Sequence, residues 1–201
     1  MVRRISLLRV LAQAAAPIIL LWSPYLFIVR AERLPLKTYS TTDSLANNAI
    51  NKIFRDSRGF LWLCTAGGLS RFDGYTFINF ATENGLPDPV VNDVLETHGG
   101  EYWLATNGGL VRFNPSGATV NHVININESL SDSKMFSAIV TDDQNQPISA
   151  VNTLLEDREG NLWCGTNKGL DRLERSGGSL RLHAIDLGMG AEYAGLYCFA
   201  H

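Results

Sequence analysis

Three copies of one short sequence pattern constrain the fold of this chain more than any other feature. They read FLWLCTAGGLSRF at residues 60–72, YWLATNGGLVRF at 102–113 and LWCGTNKGLDRL at 162–173. Trp62, Trp103 and Trp163 mark the register, and each lies 11 residues after an Asn, at positions 51, 92 and 152. Because the match extends upstream of each Trp, these copies are units of an internal repeat rather than chance similarities.

Each copy has the pattern of short strands joined by tight turns. Apolar residues alternate over short runs, which is typical of strands buried on one face. Residues 56–59, 97–100 and 157–160 supply a first turn, and Gly68, Gly109 and Gly169 supply a second, where Gly can adopt a positive φ. In the first copy, residues 75–80 include three aromatic residues and predict a fourth strand. Four short strands per unit, with 41 residues from Trp62 to Trp103, are typical of a β-propeller blade.

We therefore predict an all-β chain: a partial β-propeller of three four-stranded antiparallel blades plus the start of a fourth, preceded by an N-terminal apolar helix. The units are predicted at about 40–80, 81–126 and 147–186, with the partial unit at 190–201. The outer strand of the second unit is placed at 119–126 and that of the third at 179–185. The 60-residue step from Trp103 to Trp163 implies an insertion, placed at about 127–147. This insertion is either a functional loop or a tolerated surface insertion.

The first 30 residues differ from the rest of the chain. Arg3, Arg4 and Arg9 precede twenty uncharged residues, 10–29. A basic start followed by an apolar run predicts a signal peptide or an N-terminal membrane anchor, with residues 5–29 in the membrane; a buried core helix is the alternative. We expect the propeller at 31–201 to be periplasmic or otherwise extracytoplasmic, either membrane-anchored or secreted.

The charge of the body excludes one class of partner. Residues 31–201 carry 13 basic and 20 acidic side chains, a net charge of −7. Nucleic-acid binding requires a basic surface to neutralise phosphates, so we expect no nucleic-acid partner.

No set of residues in the sequence has the spacing of a catalytic, cofactor or metal site. The four histidines, His98, His122, His183 and His201, are scattered, and His98 is expected in a turn. Cys64 and Cys164 are expected to be small buried hydrophobic residues rather than a disulfide pair. The run DDQN at 142–145 has some oxygen ligands of a calcium loop but lacks its later Glu and Gly, so an Asx-rich turn is the alternative. We predict no catalytic, cofactor or metal residues.

Two sets of repeated side chains could belong to either the architecture or a binding site. One arginine recurs at the same repeat position, and it predicts an ion pair or backbone contact within each blade, or a ring that binds acidic or sugar ligands. The repeated tryptophans are interpreted as blade core rather than as carbohydrate-stacking residues. The arginines are Arg71, Arg112 and Arg172.

The repeat resembles the two-component regulator propeller family. The segments that match the family pattern are DREGNLWCGTNKGLDRL in the third copy and DSRGFLWLCTAGGLSRF in the first. Thr97, Cys64 and Leu173 depart from the family pattern. The resemblance implies large periplasmic propellers that precede a membrane helix and a histidine kinase, hybrid kinase or diguanylate cyclase.

From this resemblance we expect the ligand-sensing propeller of a two-component sensor, a fragment without its output domain and not itself an enzyme. Its expected partners are an unknown small ligand, such as a glycan, and the remaining blades and output domain of a longer chain. Two alternatives stay open: a structural or interaction propeller fragment, and an exported propeller lyase or hydrolase.

Overall fold

The computed structural model describes residues 35–116, 134–139, 150–176 and 179–188. The chain divides into two compact units, 1–38 and 39–201, and all the described strands lie in the second. The described residues contain twelve strands in three four-stranded antiparallel sheets, which confirms the predicted three blades. Two short 3-10 turns, Thr41–Asp43 and Thr82–Asn84, precede the first and second sheets.

Within each sheet the strands follow one another in chain order. The first sheet contains β1 (Ile50–Arg55), β2 (Leu61–Thr65), β3 (Gly68–Phe72) and β4 (Phe77–Phe80). The second contains β5 (Val91–Glu96), β6 (Tyr102–Thr106), β7 (Gly109–Phe113) and β8 (Phe136–Ile139). The third contains β9 (Val151–Glu156), β10 (Leu162–Thr166), β11 (Gly169–Ser176) and β12 (Ser179–Ile185), the last as predicted.

The turn between the second and third strands of each sheet depends on glycine. Gly68 has φ +129°, and an added Cβ would lie 2.6 Å from the carbonyl oxygen of Phe80. Gly109 and Gly169 adopt similar values, +113° and +136°. Side chains rarely tolerate this conformation, so the glycine at this repeat position is required by the backbone.

The sheets pack face to face through two hydrophobic clusters. Trp62 lies in the first cluster, where residues of the first and second sheets meet, and Trp103 lies in the second cluster, between the second and third sheets. Both indoles are fully buried, which confirms their assignment as core. Trp163 is only half-buried, since its side of the third sheet lies at one end of the described array.

The first strands of the three sheets lie next to one another, with β5 between β1 and β9. The repeated asparagines join them: Nδ2 of Asn51 donates to the carbonyl of Val91 (2.8 Å), and Nδ2 of Asn92 donates to that of Val151 (2.8 Å). The buried carboxylate of Asp93 accepts hydrogen bonds from Nζ of Lys52 (3.0 Å) and from the backbone N–H of Leu154 (3.0 Å). These bonds fix the spacing of consecutive blades.

The outer strand of the second sheet corrects the sequence prediction. Its residues are Phe136–Ile139, which pair with β7 from Phe113↔Phe136 to Leu110↔Ile139, whereas 119–126 lies outside the described residues. The insertion therefore interrupts the second blade after β7 instead of following it. The physical reason is that Phe136 stacks on Phe113, with ring centroids 5.1 Å apart, and so completes the core.

Several predicted features lie outside the described residues: the N-terminal apolar helix, the partial unit at 190–201 and the DDQN run at 142–145. Among the residues that the structure describes, no helix has the length and apolar character needed to cross a membrane.

Candidate functional site

A cleft lies where the first turn of the first sheet meets the end of the second sheet. The turn that follows β1 contains Asp56 and Arg58, and Tyr102 begins β6 of the second sheet. Two of the side chains that line the cleft, those of Arg58 and Tyr102, contact the carboxylate of Asp56.

The Asp56 carboxylate is buried and accepts hydrogen bonds from both sheets. Its Oδ2 accepts from Nε1 of Trp62 (2.9 Å) and from Oη of Tyr102 (2.9 Å), while Oδ1 accepts from the backbone N–H of Phe60 (2.8 Å). Burial alone would raise the pKa of Asp56, but these hydrogen bonds and the charge of Arg58 outweigh burial and lower the pKa. Asp56 therefore stays ionised and links the two sheets.

The same network holds Tyr102 and Arg58 in place. Burial, followed by the hydrogen bond to Asp56, raises the pKa of Tyr102, which remains a neutral hydroxyl donor. Nη2 of Arg58 donates to Oη of Tyr102 (3.2 Å), and Nε of Arg58 lies 3.6 Å from Oδ2 of Asp56. Cζ of Arg58 also lies 5.5 Å from the centroid of the Tyr102 ring. The guanidinium is thus fixed by a hydrogen bond, an ion pair and a cation–π contact, while its side chain remains 46% exposed.

A second charged group lies on the second and third sheets. Glu101 Oε1 accepts a hydrogen bond from Nη2 of Arg112 (3.0 Å), and its Oε2 accepts from Nη2 of Arg175 (2.8 Å). Both arginines leave part of their side chains exposed to solvent. Glu101 is therefore held between two guanidinium groups.

Arg58, Tyr102, Glu101 and Arg112 line a cleft of about 280 Å³. Among the described residues, three cationic side chains and one carboxylate line it, within a chain whose body is acidic. Ser116 and Lys134, which flank residues 117–133 in the chain, both line the cleft. The described residues of the lining are Arg58, Gly100, Glu101, Tyr102, Arg112, Phe113, Asn114, Pro115, Ser116, Lys134 and Ser137.

The histidines and cysteines do not converge in the structure. His98 lies in a turn, as predicted, where its Nδ1 is 2.6 Å from Oε2 of Glu156 on the third sheet. His183 lies on β12, whereas His122 and His201 are outside the described residues. In the described ranges, no group of three or more His, Cys, Asp or Glu could hold a metal ion.

Cys64 and Cys164 are buried free thiols. This burial confirms their interpretation as small hydrophobic residues. Burial also raises the pKa of both thiols, which makes them poor nucleophiles in the folded protein.

The repeated arginines make contacts within their own sheets. Cζ of Arg71 lies 4.6 Å from the centroid of the Phe60 ring, and Nη2 of Arg172 lies 2.6 Å from Oε1 of Glu174. Arg112 pairs with Glu101, also of its own sheet. The predicted ion pair within the blade is confirmed for Arg112 and Arg172, whereas Arg71 stacks on an aromatic ring. Only Arg112 of the three lines the cleft.

Sequence reasoning missed Arg58, Glu101 and Tyr102 as candidate site residues. The signal that could have found them is their departure from the repeat. Gly99 and Glu159 occupy the position of Arg58 in the other units, and Leu61 and Leu162 occupy that of Tyr102. Departures that cluster in space are more informative than residues that recur in every unit.

Comparison with known proteins identifies the repeat. Residues 44–67 and 145–168 match the family model described as "Two component regulator propeller". The resemblance seen in the sequence is confirmed, and the chain carries repeats of this type in its first and third sheets. No curated protein matches the chain.

Solved structures share the fold. The extracellular domain of the hybrid two component system BT3049 from B. thetaiotaomicron superposes with a TM-score of 0.54 at 24% identity, over 74% of this chain and 18% of that one. PorZ of Porphyromonas gingivalis, a surface component of the type-IX secretion system, superposes with a TM-score of 0.51 at 14% identity, over 75% and 22%. The chain spans about a fifth of the length of these proteins.

Proposed function

We propose that this chain is part of the extracytoplasmic ligand-sensing propeller of a two-component signal-transduction sensor. In this proposal the described blades bind a ligand and catalyse nothing, and an output domain elsewhere in a longer protein produces the signal. The match of residues 44–67 and 145–168 to the two component regulator propeller model is the observation that carries the proposal. The likeness to the extracellular domain of a hybrid two component system supports the extracytoplasmic location.

The uncovered face of the first sheet supports the proposal that further blades exist. Ile50 and Ile53 on β1 are 40% and 58% exposed, whereas the equivalent residues of the other two sheets are at most 1% exposed. Those residues pack against the preceding sheet in the two hydrophobic clusters. They are Val91, Val94, Val151 and Leu154. An apolar face that is covered in the second and third blades but open in the first fits a blade that docks on it in a longer protein.

A change in gene expression tests the signalling role. We would delete the gene, grow the mutant and the parent on a panel of carbon sources, and compare transcripts. A sensor predicts the loss of one ligand-induced gene set, with restoration by the complete gene. An unchanged transcriptional response on every carbon source that the parent responds to would overturn the proposal.

A second function, a structural component of a surface assembly, is favoured by the fold likeness to PorZ. In that case deletion would change the protein composition of the cell surface, which mass spectrometry of surface fractions measures. An exported propeller lyase or hydrolase is the third proposal, and loss of a degradative activity from the extracytoplasmic fraction would identify it.

Location is tested separately from signalling. A fusion of alkaline phosphatase to the C-terminal end of the chain should be active, because this enzyme requires an oxidising compartment to form its disulfides. The matched control is the same fusion without residues 1–30, which we expect to be inactive. An inactive full-length fusion that is made at normal levels would contradict an extracytoplasmic location.

A further inference from the structure

We propose that the cleft around Arg58 binds a small oxyanion, a carboxylate or phosphate group carried by a polar ligand. This inference rests on the proposed ligand-sensing function and names the chemistry that the ligand must have. It depends on three observations: the charges of the cleft, the way Arg58 is fixed, and the departure of the cleft residues from the repeat.

The charges that line the cleft favour an anion. Among the described residues of the lining, Arg58, Arg112 and Lys134 are cationic and Glu101 is the one carboxylate. The described lining therefore carries a positive excess. The charged groups next to it include Asp56 and Glu96, which act on Arg58, and Arg175, which pairs with Glu101. The excess stands out because the body of the chain is acidic.

Arg58 is arranged for recognition rather than for a simple surface ion pair. Its guanidinium is held by Tyr102 and Asp56, and it lies 5.6 Å from the centroid of the Phe60 ring. A fixed guanidinium loses little conformational freedom when it binds, and its planar donors match the geometry of carboxylate and phosphate. Since nearly half of the side chain remains exposed, the guanidinium is accessible from the cleft.

The repeat provides an internal comparison. Blade architecture requires neither an arginine at position 58 nor a tyrosine at position 102, because the other units have Gly99, Glu159 and leucines there. Glu101 likewise replaces Phe60 and Asn161 of the other units. Residues that the repeat pattern does not specify, and that converge on one cleft with hydrogen-bonding and charged groups, are candidates for binding.

Calorimetric titration of the 201-residue chain at constant ionic strength tests the proposal. The probes are D-glucuronate, inorganic phosphate and, as the neutral counterpart of glucuronate, D-glucose. We expect at least one of the two anions to bind and glucose not to bind. Binding of glucuronate alone assigns a carboxylate ligand, binding of phosphate alone assigns a phosphate ester, and binding of neither overturns the proposal.

Three variants locate the binding. Arg58→Gln should weaken binding about tenfold or more, because it removes a charge-assisted hydrogen-bond donor. Glu101→Gln should strengthen binding several-fold, because it removes a carboxylate that would repel the anion. Lys168→Gln, which makes the same loss of charge at an exposed turn, should leave binding unchanged.

Glu101→Gln is expected to strengthen anion binding, whereas Arg58→Gln is expected to weaken it. The Glu101→Gln variant therefore tests the site even if Arg58→Gln fails to fold. Weaker binding by Glu101→Gln, or equal losses in Arg58→Gln and Lys168→Gln, would overturn the site. Failure of the proposed oxyanion site can be distinguished from failure of the proposed sensing function. A strain whose transcriptional response survives the Arg58→Gln substitution would still sense its ligand, but through another site.

Discussion

Tyr102 on β6 donates a 2.9 Å hydrogen bond from its Oη to Oδ2 of Asp56, which belongs to the neighbouring sheet. Both groups are buried, and the carboxylate also accepts from the Trp62 indole. The ionised side chain of Asp56 thus joins the core tryptophan of the first blade to Tyr102, the first residue of β6 in the second blade. The contact serves both the packing of two blades and the placement of Arg58.

Loss of this contact should destabilise the protein. We expect Asp56→Asn to lower the free energy of unfolding by about 1.5–3 kcal/mol, because hydrogen bonds to a charged acceptor are replaced by weaker ones. Tyr102→Phe should cost less, about 1 kcal/mol, since it removes one hydroxyl. Urea unfolding of both single variants and the double variant measures the coupling. Strictly additive losses would contradict a direct interaction.

Stability should fall in acid through the turn aspartates. The hydrogen bond from the Trp163 indole is the largest cause that lowers the pKa of Asp157, to about 2 from its ordinary 3.8, and the pKa of Asp56 is also lowered. A lowered pKa in the folded state means that the unfolded state binds the proton first. The stabilisation is therefore complete above about pH 4 and is lost as the pH falls toward 2.

Urea unfolding at pH 6, 4 and 2.5 can check that the stabilisation by Asp157 decreases as the pH falls. The difference in unfolding free energy between the wild type and Asp157→Asn should be largest at pH 6 and should shrink at pH 2.5. A difference that is constant over this range would show that the ionised carboxylate of Asp157 is not the source of the stability.

Two glycines with positive φ should respond differently to alanine. Gly68→Ala places a Cβ 2.6 Å from a backbone oxygen at φ +129°, whereas Gly74→Ala meets no atom within 4 Å at φ +101°. We expect Gly74→Ala to cost about 1–2 kcal/mol from backbone strain alone, and Gly68→Ala to cost roughly 3 kcal/mol or more from strain and overpacking together. Thermal and urea unfolding of the two variants would measure this order, and equal costs would contradict it.

Equivalent apolar residues on β1 and β9 should differ in their contribution to stability. Leu154→Ala empties a buried position and should cost about 2–5 kcal/mol. Ile53→Ala, at the same repeat position but exposed, should cost less than about 1 kcal/mol in the 201-residue chain. Urea unfolding measures both.

The same pair of variants also probes the proposed additional blade. In a longer protein that contains a blade docked on β1, Ile53→Ala should become as costly as Leu154→Ala. If Ile53→Ala does not lower the free energy of unfolding of that longer protein, no blade is docked on β1 there.

The sequence by itself determined the blades. The recurring Trp, the Gly with positive φ and the alternating apolar residues each act locally, through backbone sterics and strand amphipathicity, so their pattern predicted three four-stranded sheets and most of their strands. It also predicted the burial of Trp62, Cys64 and Cys164, because strand position decides which face a side chain occupies.

Tertiary structure decided what depends on residues far apart in the chain. The outer strand of the second blade was misplaced because two segments after β7 had the strand pattern, and only the stacking of Phe136 on Phe113 selects between them. The cleft also escaped the sequence, since Arg58 and Tyr102 are separated by 44 residues and meet only when two blades pack. Asp56 becomes their common partner because a carboxylate that is buried between the sheets must be paired and hydrogen-bonded.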